Sequence, residues 1–445
     1  MKKILHIVSV LAFLALTSCD KELDITPQQT VDEETALSTD QNVKRVLNGA
    51  YDALSSGSLL GGDVQLYGEL MAADAEILWT GTFNQPREIF GKNILTNNSF
   101  VRATWLAGYN AINITNNVLS ALGKVVAADK GRIEGEAKFI RGVSYFELVK
   151  LFALPYSAGN TNSNPGLPIV LNPTRGIGDS SYVARKSVEE TYSQIIADLT
   201  TAESLLLTNN GVYATKRAAA GYLSRVYLQM GRYAEARDAA NRAINYGGRT
   251  LTADYLDAFN NDALSSEDLF AIEVNDQDGA NDLHLYYSIP QYGGRDGDVA
   301  ILDKHLNLYE PTDLRFDQFY VGAGDVRTGK WIFQYKNIPI IRLAEMYLTR
   351  AEANFRLGTA VGDTPLNDVN RIRVRAGLLS KLVLTLDEII LERKLELAHE
   401  GQAIHDIKRL MKTVDALPFN SPRLVFPIPE REINANPKLK QNTGY

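Results

Sequence analysis

The stretch that most constrains this chain runs from Thr215 to Tyr246, TKRAAAGYLSRVYLQMGRYAEARDAANRAINY. Its apolar and small residues recur at three- and four-residue spacing, which predicts two helices joined by a tight turn. Ala236, Ala240 and Ala243 share one face of the second helix. Such a face lets a neighbouring helix come close, while Leu223 and Tyr227 supply bulk opposite. Gly231 stands where the chain reverses, a place where glycine meets no Cβ penalty. One helix pair cannot bury its apolar face alone, so the stretch predicts further pairs stacked on it.

The spacing of Leu223, Tyr227, Gly231, Tyr233, Ala236, Ala240 and Ala243 is that of a tetratricopeptide unit. The expected fold class is therefore all-α: a tetratricopeptide-like helical repeat scaffold with long irregular loop insertions. Helical repeats are expected at about 100–152, 187–246 and 338–411, with an irregular insertion at about 247–336. Amphipathic stripes predict helices over Thr35–Ser55, Leu66–Ala75, Val101–Leu122, Ile133–Phe152 and Ser187–Leu207. Leu154-Pro155 stops the fourth of these. Ile338–Leu357 and Pro365–Ala376 read as a second repeat-like pair turning at Gly358, and Thr385–Met411 as one long helix. Leu269–Val274 suits a strand, and Arg423–Tyr445 an extended tail. Trp105 fits a helix stripe and belongs to the core, as does Trp331. Asn113, Asn116 and Asn117 are unusual in a helix interior, and some of them are expected to hydrogen-bond to loops. A chain of 445 residues that is 45% hydrophobic and 22% charged has material for a large core. With a net charge of −7 and no basic stripe, nucleic acid is not expected as a partner.

The N-terminus bears on the compartment. Lys2 and Lys3 precede the apolar run Ile4–Leu16, which is too short to span a bilayer, so residues 1–18 read as a signal peptide. Leu16-Thr17-Ser18-Cys19 resembles a bacterial lipobox, and the resemblance implies cleavage before Cys19 and lipidation of that residue. Cys19 is the one cysteine of the chain, so no disulfide forms within it. Residues 19–34 then form a lipidated tether. Its cluster Asp20-Lys21-Glu22-Leu23-Asp24 resembles the surface-export signal of Bacteroidetes lipoproteins, although a solvated tether would carry the same charges.

Several further segments carry a family resemblance. These are RLAEMYLTRAEANFRLG (Arg342–Gly358), LNDVNRIRVRAGL (Leu366–Leu378), ERKLELAHEGQAIHDIKR (Glu392–Arg409) and PIPEREINANPKLKQNTGY (Pro427–Tyr445). With LDITPQ (Leu23–Gln28) and the helix EAKFIRGVSYFELVKLF, they resemble the SusD/RagB family of Bacteroidetes outer-membrane lipoproteins. One departure is His405, where an aromatic is more usual. The resemblance implies a helical scaffold with a looped second half, lipid-anchored in the outer membrane and facing the cell exterior. It implies a role beside a SusC-like TonB-dependent transporter, capturing a glycan and handing it to the barrel, with neither catalysis nor a cofactor. A protein-interaction scaffold and a peptide-capturing lipoprotein of the same family remain alternatives. The loops at 75–98 and 275–335 match nothing specific to the family and leave the ligand open.

His399-Glu400 begins like a zinc-protease motif, but the second histidine is missing. Glu392, Glu396 and His399 face one way on the expected helix, where Arg393, Lys394 and Lys408 make ion pairing the better reading over a metal. Asp276-Gln277-Asp278-Gly279 resembles a calcium loop but fails at Val274 and Leu285. No nucleophile motif or phosphate loop occurs. Glycan binding needs flat rings for sugar C–H faces beside groups that bond to hydroxyls. Trp79, Phe83, Asn84 and Arg87 suit this in one loop. Tyr286, Tyr287 and Tyr292, near Asn281, Asp282 and Arg295, suit it in another. The competing reading is that these rings pin their own loops to the body, and burial of the Trp79 indole would favour it.

Overall fold

The computed structural model describes residues 33–445 except 177 and 278–280. The signal segment, Cys19, the LDITPQ motif and most of the tether lie outside the described residues, as do Asp278 and Gly279 of the calcium-loop resemblance. The chain is mostly helical. The helices used below are α1 (Asp40–Ser55), α2 (Asp63–Leu70), α3 (Asn84–Phe90), α4 (Ser99–Ser120), α5 (Ala127–Phe152), α6 (Val188–Leu205) and α7 (Lys216–Gln229). They continue with α8 (Tyr233–Asn245), α9 (Asp282–Tyr287), α10 (Leu343–Leu357), α11 (Pro365–Arg375), α12 (Leu386–Glu396) and α13 (Ala403–Arg409).

The two helices expected around Gly231 are α7 and α8, packed side by side, and Gly231 turns between them at φ 71°. Ala236, Ala240 and Ala243 are buried, and this close-packed face lets α8 meet α10 as well as α7. The stack runs on through neighbours: α1 on α4, α4 on α5, α5 on α6, α6 on α7, and α10 on both α11 and α12. Every residue of α5 from Phe139 to Phe152 is buried, so this helix is the centre of the core. Helix starts follow the sequence. Ser187 and Glu190 form a reciprocal cap on α6, Thr385 and Glu388 do so on α12, and Thr215 caps α7. Asn116 Nδ2 donates to the carbonyls of Val170 and Asn172, and Asn113 accepts from the Thr174 amide. The helix asparagines thus tie down the connection after α5.

Small sheets accompany the helices, a minor β component that the all-α expectation left out. Among the described residues there are four two-stranded antiparallel sheets. Strand β1 (Ile77–Trp79) pairs with β5 (Val299–Ile301), and β2 (Pro165–Pro168) with β3 (Arg185–Ser187). Strand β4 (Asp268–Ile272) pairs with β8 (Ile338–Arg342), and β6 (Phe319–Gly322) with β7 (Asp325–Thr328). Ile338–Arg342 was expected to open a helix. Its run of β-branched residues around Pro339 instead completes a fully buried ladder with β4, and the helix starts at Leu343. The helix expected over Thr35–Ser55 breaks at Leu37–Thr39, and Thr39 caps the longer piece. Thr385–Met411 is two helices, because the intervening chain turns through His399 (φ 64°) and Gly401 (φ 83°). Residues 79–86, expected as loop alone, contain the end of β1 and the start of α3.

Candidate ligand-binding surface

Strand β1 delivers the first group of candidate residues. Trp79 at its end is 5% exposed, packed 6.0 Å from the Tyr286 ring. A Cβ on Gly81 would stand 2.5 Å from the indole, so the glycine makes room for the buried ring. Thr80 then ties the chain to the other side of the surface, its amide donating to the Asp298 carbonyl and its hydroxyl to that of Gly297. Beyond it Phe83 is 36% exposed. The Arg295 guanidinium lies 3.8 Å over the Phe83 ring, fixed by bonds of 2.9 Å to both Asp298 and Thr82. Burial raises the Asp298 carboxyl, and Arg295 pulls it back down. Asn84 and Arg87 are exposed on α3, with Arg87 Nη2 donating to the Gly81 carbonyl at 2.7 Å.

The second group divides. Tyr286 and Tyr287 on α9 are buried, at 4% and 0% exposure. The short helix is amphipathic, and these rings face the body. Its cap is Asn281, whose side chain accepts from the His284 amide. Burial pushes the neighbouring Asp282 carboxyl up to about 6. Tyr292, five residues on, sits on a turn held by His284 Nε2 against the Tyr292 carbonyl at 3.0 Å, and its ring is 36% exposed. Tyr320 stands edge-on to it at 6.0 Å and Phe333 at 6.5 Å. Phe333 and Tyr335 are themselves exposed.

The structure thus leaves two groups of exposed rings, Phe83 under Arg295, and Tyr292 with Phe333 over the half-buried Tyr320, while Tyr335 is exposed nearby in sequence. It removes Trp79, Tyr286 and Tyr287 to the interior, where they support the loops that carry the exposed rings. That corrects the expectation of an exposed indole: at β1 the alternation buries Ile77 and Trp79 and exposes Leu78. Tyr320, Phe333 and Tyr335 were missed by sequence reasoning. The aromatic run around Trp331-Ile-Phe333-Gln-Tyr335 was their available signal. Trp331 itself is buried as expected, its indole N–H donating to the His399 carbonyl. Trp105 is likewise in the core.

Of the metal-like trio weighed in the sequence, the two glutamates resolve into ion pairs, though with other partners than expected, while His399 lies beyond the end of α12 and is buried among aromatic rings. Glu392 meets Arg315 and Arg373, while Glu396 meets Arg342 and Arg375. Arg393 pairs instead with Glu345 and Asp406, and Lys394 with Glu76.

A family model described as starch-binding and associating with the outer membrane matches residues 21–228, and a second, of the SusD family, matches residues 307–418. The SusD-like protein P2 of Formosa agariphila is 25% identical, with 99% of each chain covered. The starch-binding protein SusD of Bacteroides thetaiotaomicron is 36% identical over 24% of this chain and 22% of its own. A crystal structure of a SusD superfamily protein from Bacteroides thetaiotaomicron superposes with a TM-score of 0.81 at 28% identity, covering 91% of this chain and 99% of the other. These matches span both the helical stack and the looped half, and on them the chain belongs to the SusD/RagB family.

Proposed function

We propose that this protein is a cell-surface lipoprotein that captures an oligo- or polysaccharide and delivers it to a SusC-like TonB-dependent transporter. On this reading residues 1–18 are a signal peptide, Cys19 carries the lipid, and residues 19–34 tether one ligand-binding unit formed by residues 35–445. The helix pairs act as a tetratricopeptide-like scaffold that holds the loops in place, and the protein is not an enzyme. The observation that supports capture is the exposure of four loop-borne rings, Phe83 beneath the Arg295 guanidinium, and Tyr292, Phe333 and Tyr335. Exposed rings offer flat apolar faces to sugar C–H groups, while Arg295, Asn84 and Arg87 provide donors to hydroxyls.

A weak C–H contact contributes about 0.5–1 kcal/mol, so a few such contacts reach the roughly 4 kcal/mol of a millimolar complex. Affinity electrophoresis against a panel of neutral polysaccharides tests this. The wild-type protein is expected to be retarded by at least one glycan. Phe83→Ala with Tyr292→Ala should weaken that retention by roughly three- to tenfold. No retardation by any glycan, and no barrel co-purifying from membranes, would refute the proposal.

A further inference from the structure

A cavity of about 230 Å³ lies between α12, α13 and the segment 72–77. A closed apolar cavity of about 150 Å³ takes up benzene, so this space suits a ligand about half as large again. Ala72, Ala73, Ala398 and Ala403 border it, and their small side chains leave the room. The rest of the wall is largely aliphatic, from Ile77, Ile390, Leu397, Ile407 and Leu410. It opens to solvent beside Lys412 and Thr413, both exposed. His399 also borders the space but offers it no hydrogen bond. Its ring is packed against those of Tyr287, His305 and Phe319, and both nitrogens are closed off.

The acids of the wall are already held. Asp74 meets Lys304, Glu76 meets Lys394 and His305, and Asp406 meets Arg393 and Arg409. Glu69 accepts the Gly401 amide at 2.7 Å, and burial pushes its carboxyl up to about 7. Of the three cations in the wall, Arg393 and Lys394 are used in these pairs. The third, Lys412, has no partner among the described residues.

One buried polar side chain is unmatched as well. Gln402 lines the cavity at 7% exposure, and its amide makes no hydrogen bond among the described residues. Leaving a buried amide unmatched is costly. Gln402 precedes α13 and Lys412 follows it, so the two stand at opposite ends of a helix roughly 10 Å long. Glu69, bonded to the residue beside Gln402, makes the inner end unfavourable for an anion. Lys412 favours one at the mouth. Apolar walls with a few placed polar groups are the usual composition of a small-molecule pocket.

We propose that this cavity is a second ligand site, separate from the exposed rings, for an aliphatic carboxylate of about six to eight carbons that carries a hydroxyl at its far end. The carboxylate stays hydrated at the mouth beside Lys412, so no ion has to be buried. The chain packs on Ile77, Ile390 and Ile407. The hydroxyl donates to Gln402 Oε1 and accepts from Nε2. This inference does not depend on the exposed rings binding a polysaccharide.

Isothermal titration calorimetry tests it on the mature chain, with Cys19→Ser so that no acyl chain of its own competes. The probes are 8-hydroxyoctanoate, octanoate, butanoate and octylammonium. One saturable site is expected for 8-hydroxyoctanoate. Octanoate, which leaves Gln402 unmatched, should bind roughly three- to tenfold more weakly. Butanoate lacks four further methylenes and should be at least about thirtyfold weaker than octanoate. Octylammonium should be at least tenfold weaker than octanoate. Lys412→Gln should weaken both eight-carbon carboxylates by roughly three- to tenfold, and Gln402→Leu should remove the advantage of the hydroxyl. Ala403→Leu and Ala72→Leu fill the cavity from different walls, and each should abolish binding while the circular dichroism spectrum is unchanged. Phe83→Ala with Tyr292→Ala should leave it intact, so failure here and failure of the exposed rings are distinguishable. No saturable heat with either eight-carbon carboxylate would overturn the proposal. So would octylammonium binding as tightly as octanoate, a hydroxyl advantage unchanged in Gln402→Leu, or binding that survives the cavity fillings. If one filled variant folds poorly, the other decides together with Lys412→Gln.

Discussion

Asp63 shows how a single buried carboxyl sets a pH dependence. Its side chain is 4% exposed, and Oδ1 has no hydrogen-bond partner among the described residues. Burial, then the nearby Asp282, pushes its carboxyl from 3.8 up to about 8. The folded state therefore holds this proton more tightly than the unfolded chain does. Stability falls as pH rises from about 4 through 8. Asp63→Asn keeps the shape and removes the charge, so it should stabilise the protein by roughly 2–5 kcal/mol at pH 8 and change little at pH 4. Urea melts at the two pH values measure this. Equal effects at both would contradict it.

Glu396 titrates with the opposite sign. Burial alone would raise its carboxyl, but Arg375, Arg342 and Arg315 outweigh that and hold it at about 2. This contribution is present above about 4.5 and is lost as pH falls towards 2. Arg342 is the hub, bonding the buried Glu267 at 2.8 Å and Glu396 at 2.9 Å, and the partly buried Glu400 at 2.6 Å. Arg342→Ala removes the cation those three carboxylates share, leaving only Arg375, Arg315 and Lys330 to offset them, and should cost about 3–5 kcal/mol at neutral pH. The loss should shrink in acid, a trend that denaturant titrations would detect.

At the scale of elements, the break between α12 and α13 matters most. Gly68 on α2 and Gly401 approach backbone to backbone. A Cβ on Gly401 would come within 2.4 Å of Gln65 Cα, and φ is 83° there. Gly401→Ala should therefore cost about 3 kcal/mol or more, seen as a large fall in melting temperature. The same place marks the limit of what the sequence reveals. Three- and four-residue periodicity located α4, α5, α6, α7 and α8, because each buries a continuous face against its neighbour. It ran straight through Leu397–Gln402, because the residues of that turn are also mostly buried and the period does not register a left-handed backbone. Ile338–Arg342 misled for a related reason: a strand buried on both faces is as uniformly apolar as a buried helix. The binding surface was legible only as loops rich in aromatics. Which rings point outward depends on pairings such as Thr80 with Asp298, more than two hundred residues apart, and no local pattern encodes those.

At the scale of the whole molecule, the larger of two apolar clusters among the described residues extends from Leu37 to Leu439, and a smaller one joins α10, α11 and α12. The segment 422–445 belongs to the larger. Phe426 is fully buried between Tyr67 and Phe152, and its amide donates to the Leu151 carbonyl at 2.8 Å. Asn442 clasps the same place, donating to the carbonyls of Phe152 and Phe426. Removing residues 422–445 takes away Leu424, Val425, Phe426 and Ile428, each worth about 1.5–3 kcal/mol of burial. That total is comparable with the roughly 5–15 kcal/mol by which a domain is stable. The truncated chain should lose its cooperative melt and become sensitive to limited proteolysis. A truncated protein that melts like the full chain would contradict this.

All three tryptophans, Trp79, Trp105 and Trp331, are sealed from solvent. Intrinsic fluorescence should accordingly be blue-shifted in the native protein and should move to the red only on denaturation. Sugar docking on Phe83 and Tyr292 would leave that emission almost unchanged. A fluorimeter will report whether this protein is folded, whereas its cargo must be followed through the tyrosines, through heat, or through a labelled glycan.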